Sequence, residues 1–263
     1  VESFSKTVNE TAKRDISDFK SISELVEYAE KLRLFVNIDM MVGLEKQSSD
    51  DFMTDIKMVS DVKPSQITIY PFMIVKGLKH IASMDDEEQF DLIEQAWQFL
   101  LAKGYSRKGP WTFTRVKGLY DSSKDELVDD YIGFGAGGFS TYSGYKIVNP
   151  ELDVYLAGFE QEKRKALIAP KTKASDHWRR FARMISDLEM KQRKDFPLGI
   201  RFFIWLLNIS GYGRSGKLTE KGIYFAHHIT KTVVESLPFP LQNPSKISNY
   251  QEYKKEAGKN EGK

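Results

Sequence analysis

Apolar residues recur every three to four positions in several windows of the chain, and each such window predicts a helix. Over residues 23–33, Ile22, Leu25, Val26, Ala29 and Leu32 fall on one face, with Ser21 or Ser23 as candidate caps and Glu24, Glu27 and Glu30 outside. The run Leu34-Phe35-Val36-Asn37-Ile38-Asp39-Met40-Met41-Val42-Gly43-Leu44 lacks alternation, which predicts a strand buried on both faces, as in a parallel sheet. Ser48-Ser49-Asp50-Asp51 opens the next helix, whose Phe52, Ile56 and Val59 share a face and which Lys63-Pro64 ends. Gln66-Ile67-Thr68-Ile69-Tyr70 reads as a second strand, closed by Pro71. Residues 85–103 form the clearest helix: Phe90, Ile93, Trp97, Leu100 and Leu101 point inward, and Asp85, Asp86, Glu87 and Glu88 sit at its positive end. Gly104 stops it. Strands and helices alternating over short links imply parallel pairing.

The pattern changes after Tyr105. Residues 109–116 read as a strand or loop arm, and residues 131–140 are the most glycine-rich part of the chain. Helices are expected over 150–161, 176–192 and 196–207, the last very apolar. Three glycines within 208–216 lead to Lys217-Leu218-Thr219-Glu220-Lys221-Gly222 and a final helix reaching Leu237. Helices followed by a small β element that opens a last helix is winged-helix-like order. The polar tail from Pro238 is expected to be disordered.

Composition removes whole classes of function. Cysteine is absent from all 263 residues, so no disulfide, thiolate metal site, cysteine nucleophile or thiolate-held cluster forms within them. The 39 Lys and Arg against 37 Asp and Glu leave a net +2, which argues against a nucleic-acid partner held by a basic surface. No window is apolar enough to span a membrane. Val1-Glu2-Ser3-Phe4 is neither cationic nor followed by an apolar stretch, unlike a signal peptide, so a cytoplasmic location is expected.

Few residues carry chemistry by pattern alone. Asp39 lies near the carboxyl end of the first strand, where parallel α/β sheets place ligands; it either receives a ribose hydroxyl or a cation, or satisfies backbone donors. The Gly133-Phe134-Gly135-Ala136-Gly137-Gly138 run departs from the dinucleotide fingerprint, so its glycines admit another strand, a flat ligand or a plain packing contact. His227 and His228 point about 100° apart on a helix, which suits core or surface positions better than a metal pair. His80 and His177 are isolated.

Several stretches, in order, resemble one family. Val1-Glu2-Ser3-Phe4 with Arg14 is similar to a Val-Gln-Ser-Phe segment and its following arginine. Asn37-Ile38-Asp39-Met40-Met41-Val42-Gly43-Leu44 is similar to Asn-Ile-Asp-Leu-(Ile/Met)-Tyr-Gly-Leu, with Ile69-Tyr70-Pro71-Phe72 after it. Tyr131-Ile132-Gly133-Phe134-Gly135-Ala136-Gly137-Gly138-Phe139-Ser140 is close to Leu-Gly-Leu-Gly-Ala-Gly-Ala-His-Ser, and Leu218-Thr219-Glu220-Lys221-Gly222 to Leu-Thr-x-x-Gly. These are motifs of the radical S-adenosylmethionine enzymes of the oxygen-independent coproporphyrinogen III oxidase type, whose relatives include haem chaperones.

The resemblance implies an α/β fold: residues 1–105 supply later strands of a partial (β/α)6 TIM-like barrel and residues 106–160 a connecting arm with the glycine-rich segment. A mainly helical winged-helix-like domain over 161–237 and the tail at 238–263 complete it. It implies S-adenosyl-L-methionine as cofactor and a porphyrin or haem as small-molecule substrate. A [4Fe–4S] cluster is expected only in a preceding part bearing the family's Cys-x3-Cys-x2-Cys loop, so the chain is expected to be a fragment. Glu2, Arg14, Asp39, Met73, Gly135 and Phe139 fall where the family meets its cofactor, and no residue takes a catalytic or metal-ligating role. Glu2 stands for glutamine, Met73 for alanine, Val42 for tyrosine and Gly138-Phe139 for Ala-His. The implied activity is oxidative decarboxylation of propionates through a 5′-deoxyadenosyl radical. The alternatives are a haem-binding or haem-delivery module, with Trp111, Phe134 and Phe139 against the macrocycle, and a non-catalytic interaction domain.

Overall fold

The computed structural model describes residues 2–14, 18–73, 82–117, 130–143, 145–150, 152–160, 166–170 and 173–236. Side-chain caps set where its first helices begin. After the short α1 (Lys6–Thr11), Asp18 accepts from the Ser21 N–H and starts α2 (Phe19–Lys31), so the cap is this aspartate and not Ser21 or Ser23. Ser48 and Asp51 form a reciprocal capping box for α3 (Ser49–Val62), and Asp85 and Glu88 do the same for α4 (Asp86–Ala102).

The strands are β1 (Asn37–Val42), β2 (Gln66–Pro71), β3 (Ser106–Arg107) and β4 (Thr112–Thr114), ordered β1-β2-β4-β3. β1 and β2 are parallel, as a βαβ unit requires, while β4 runs antiparallel to both β2 and β3. Gly43 ends β1 at φ 87°, and a Cβ there would lie 2.7 Å from the Gln89 side chain of α4, so glycine answers both the turn and the close approach.

One expectation fails here. β1 begins at Asn37, with Leu34 and Phe35 exposed before it, and it is buried on one face only. Ile38, Met40 and Val42 join Ile67, Ile69 and Phe113 in a core covered by Val26 of α2, Phe52, Ile56 and Val59 of α3, and Leu92, Ile93, Ala96 and Leu100 of α4. The three helices therefore cover one side of the sheet. Asn37, Asp39 and Met41 point the other way, level with Gln66, Thr68 and Tyr70 of β2.

Tyr105, buried between α4 and β3, donates its hydroxyl to the Pro64 carbonyl at 2.9 Å. Burial pushes its phenol up to about 12, whereas an unfolded tyrosine titrates near 10. Between those values the native chain holds the proton that the unfolded chain has lost, so stability falls as pH rises through that window. Urea titrations from pH 9 to 12 are expected to show this loss in the parent and a flatter profile in Tyr105→Phe.

Beyond the first sheet, β5 (Phe139–Tyr142), β6 (Tyr145–Val148) and β7 (Leu167–Pro170) form an antiparallel sheet, with α5 (Leu152–Glu160) between the last two. Then come α6 (Lys173–Ser186), α7 (Leu198–Ile209), the hairpin of β8 (Gly213–Arg214) and β9 (Lys217–Leu218), and α8 (Glu220–Ser236). The helix expected over 176–192 ends at Ser186, and Pro197 delays α7 to Leu198. Met184, Met190, Phe196, Ile200, Ile204, Leu207 and Ala226 make a second core. α8 docks on α4 through Phe90 against Tyr224, ring centroids 4.9 Å apart, and His228 against Asp86 at 3.5 Å. No described helix is long and apolar enough to cross a membrane. His80 and the tail at 238–263 lie outside the described residues.

Candidate functional site

The face of the first sheet opposite α2, α3 and α4 carries a hydrogen-bonded polar row, exposed at Asn37 and Asp39 of β1 and buried at Thr68 of β2. Asn37 Nδ2 donates to Asp39 Oδ1 at 2.7 Å, and Thr68 Oγ1 donates to Asn37 Oδ1 at 3.0 Å. Parallel register puts Thr68 level with Asp39, so one amide bridges hydroxyl and carboxylate with both of its functions used. Asp39 remains exposed. An oriented carboxylate beside an amide at the exposed β1 edge of that face suits a polar, hydroxyl-bearing or cationic small molecule.

β1 is an edge strand, and its Met41 N–H donates to the Glu2 carbonyl at 3.1 Å. The Glu2 carboxylate pairs with Arg14 at 3.1 Å, so two of the predicted residues meet beside the strand that carries a third. Their segment is fastened by Asp55 of α3, which is buried and accepts from Ser3 Oγ at 2.5 Å and from the Phe4 N–H at 2.9 Å. Burial pushes the Asp55 carboxyl up, and those two hydrogen bonds oppose the rise. Asn9 Nδ2 completes the clasp by donating to the Ser3 carbonyl at 2.8 Å. A cleft of about 240 Å³ opens between Phe4, Ser5 and the outer side of α3, and none of the predicted site residues lines it.

Met73 stands two residues past β2, where the Phe72 N–H donates to the Val42 carbonyl at 2.8 Å, and its side chain is half-buried. Phe139 opens β5 of the second sheet, and Gly135 lies in the loop that leads into it. There Asn149 Nδ2 donates to the carbonyls of Gly135 at 2.9 Å and Gly133 at 3.3 Å, and the Gly133 N–H donates to Ser140 Oγ at 3.1 Å. A Cβ on Gly133 would lie 2.1 Å from the Phe139 carbonyl oxygen, so this glycine admits the backbone of its own sheet. The Phe139 ring is exposed, and Phe134 more so at 87%.

His227 is buried and accepts from Trp111 Nε1 at 3.0 Å, while His228 is exposed, so they take the core and surface positions expected of them. Among the described residues no group of three or more His, Cys, Asp or Glu is placed to hold a metal ion. The sequence reading missed Asp55, Thr68 and the Trp111–His227 bond. Asp55 had a signal: it shares the helical face of Phe52, Ile56 and Val59, where an unpaired carboxylate would be costly. Thr68 and His227 had none, because their partners lie in distant segments.

No protein-family model matches the chain. The haem chaperone HemW of Escherichia coli (strain K12) is 29% identical over 139 residues, which cover 49% of this chain and 36% of the relative. The oxygen-independent coproporphyrinogen III oxidase of the same organism is 24% identical over 123 residues, covering 44% of this chain and 27% of the relative. These matches thus span about a third or less of the length of the relatives. A solved structure of the Escherichia coli coproporphyrinogen III oxidase HemN, described as a radical SAM enzyme, superposes with a TM-score of 0.63 at 18% identity, over 90% of this chain and 63% of that one. At that identity the superposition establishes the fold. The chain is homologous to HemW and to oxygen-independent coproporphyrinogen III oxidase, members of a radical SAM family.

Proposed function

We propose that this chain supplies the S-adenosylmethionine-binding sheet face of a radical SAM protein that acts on porphyrin or haem. The observation that carries the reading is the Asn37–Asp39–Thr68 row on the side of the parallel pair opposite α2, α3 and α4, with Asn37 and Asp39 exposed. S-adenosylmethionine offers ribose hydroxyls, a sulfonium, an ammonium and a carboxylate. Asp39 would accept from hydroxyl or ammonium, Thr68 and Asn37 would orient it, and Arg14 would face the carboxylate. Glu2 introduces a charge where the family has an amide, and the ion pair with Arg14 offsets it at the strand edge. Met73, Gly135 and Phe139 are the apolar and close-approach positions of the same proposal.

Bound there, S-adenosylmethionine would supply hydrogen-abstracting chemistry only when an electron reached its sulfonium from a donor outside these residues. With no cysteine in the sequence, these residues do not fit a thiolate-held [4Fe–4S] cluster. Two architectural expectations belong to the same proposal. Helices on one face and polar groups on the other support a partial (β/α)6 barrel wall. The helix, helix, hairpin, helix order over 173–236 supports a winged-helix-like unit.

Asp39→Ala removes an acceptor and leaves Asn37 Nδ2 without its partner. Isothermal titration with S-adenosylmethionine is expected to show about tenfold weaker binding, a loss within the usual cost of an unpaired polar group. Unchanged affinity would remove Asp39 from the site. A second reading, haem carriage without oxidase turnover, draws on the exposed Phe134 and Phe139 rings beside the glycine loop. It predicts a saturable Soret shift on haem titration that Phe134→Ala weakens, in a protein that does not cleave S-adenosylmethionine.

A further inference from the structure

The helix α7 is apolar on both of its sides. Ile200, Ile204 and Leu207 face the second core. At 100° per residue the opposite arc carries Leu198, Phe202, Trp205, Leu206 and Ile209 in one continuous patch. These side chains are left in the open: Leu198 is 79% exposed, Phe202 63%, Ile209 61% and Trp205 50%. Phe202 and Trp205 stack with centroids 5.6 Å apart, which presents one flat aromatic surface. A helix apolar all round belongs in a core or against another apolar phase, and twelve residues are too few to cross a bilayer.

The charge of the segment that carries the patch points to the phase. Residues 177–228 hold ten lysines and arginines against four acids, although the whole chain nets only +2. Lys191, Arg193, Lys194, Arg201, Arg214 and Lys217 are all exposed. Lys194 lies in the turn leading into α7, and Arg201 falls on the helix next to Trp205 at the rim of the apolar arc. Tryptophan, phenylalanine and leucine on a short helix with cations at its border is the composition of a segment that lies in the plane of an anionic lipid surface. A second copy of the chain fits less well. The exposed parts of the five side chains amount to roughly 500 Å², below the about 800 Å² per partner of a standard stable interface, and two copies would bring the same cations face to face.

We propose that α7 is a membrane-surface docking helix: its Leu198–Phe202–Trp205–Leu206–Ile209 arc enters the headgroup region of an anionic bilayer while Lys194 and Arg201 meet the phosphates. The inference is independent of the S-adenosylmethionine reading, because it uses the opposite end of the chain. Co-sedimentation of the full chain with vesicles tests it, using phosphatidylcholine alone or mixed equally with phosphatidylglycerol. The expected result is at least tenfold stronger partitioning onto the anionic vesicles, decreasing as salt is added. Phe202→Glu with Trp205→Glu is expected to reduce it tenfold or more with an unchanged far-ultraviolet circular dichroism spectrum, since both positions are exposed. Lys194→Glu with Arg201→Glu is expected to abolish the preference for the anionic lipid. Equal binding to both vesicle types, or binding that the Phe202 and Trp205 changes leave intact, would overturn the proposal. So would vesicles that bind nothing while sedimentation velocity reveals a dimer that those same changes dissolve, which would assign the arc to a second copy.

Discussion

Phe113→Ala is expected to lower the free energy of unfolding by about 3–5 kcal/mol, the range for deleting a fully buried aromatic ring. Phe113 has no exposed surface and occupies β4, between β2 and β3, so the sheet cannot close over the cavity without moving a strand on each side. Its ring stacks on Trp97 of α4 with centroids 5.6 Å apart, and the Arg107 guanidinium lies 5.6 Å from its centroid on the neighbouring strand. The loss therefore combines apolar transfer, an aromatic pair and part of the environment of a buried cation. For a chain of this size, that is a fall of about 10 °C in melting temperature. A loss under 1 kcal/mol in denaturant titration would mean that β4 is not an interior strand of the sheet.

Glu94→Ala is the second large effect. Arg107 reaches Glu94 at 2.6 Å with almost all of its side chain buried, and it donates to the carbonyls of Gly109 at 3.3 Å and Pro110 at 2.7 Å. Burial draws the guanidinium below its usual value while the Glu94 charge holds it up. Removing Glu94 strands the cation. The expected destabilisation is about 3 kcal/mol, at the low end for a broken buried pair because two carbonyls still accept from Arg107. Replacing both partners, Glu94→Leu with Arg107→Met, is expected to recover most of that loss. Phe113→Ala and Glu94→Ala share Arg107, so their effects are expected to be non-additive in a double-mutant cycle.

The parallel pair of the first sheet was legible because its signals are local, whereas the antiparallel β3 and β4 beside it were not. Capping pairs three residues apart at Ser48 and Asp85, periodic faces in α3 and α4, and two β-rich runs separated by a helix give β1–α3–β2 and its parallel pairing without knowledge of any distant contact. What failed was the burial of β1. The apolar run there includes Leu34 and Phe35, which are exposed ahead of the strand, and it hides the alternation Ile38, Met40, Val42 against Asn37, Asp39, Met41 that separates core from polar face. The antiparallel second sheet was not legible. Its strands are four residues each, two of them joined across α5, and its glycine loop is fixed by Asn149, a residue with no local pattern around it. Within the candidate site, Asp39 could be placed from its position near a strand end, and the resemblance supplied Glu2 and Arg14. Thr68 and Asp55 act across segments, and only folding brings them in.

The central claim is that the polar face of β1 and β2 receives S-adenosylmethionine. Amide and side-chain chemical shifts of the isotope-labelled chain, followed through a titration with S-adenosylmethionine, test it most directly. The account predicts saturable shifts concentrated at Asn37, Asp39, Thr68 and Arg14, with those of Thr68 reduced in Asp39→Ala. Saturable shifts confined to α7, to the α8 hairpin side or to the Asp50–Asp55 cleft, with the Asn37–Asp39–Thr68 row unmoved, would contradict it.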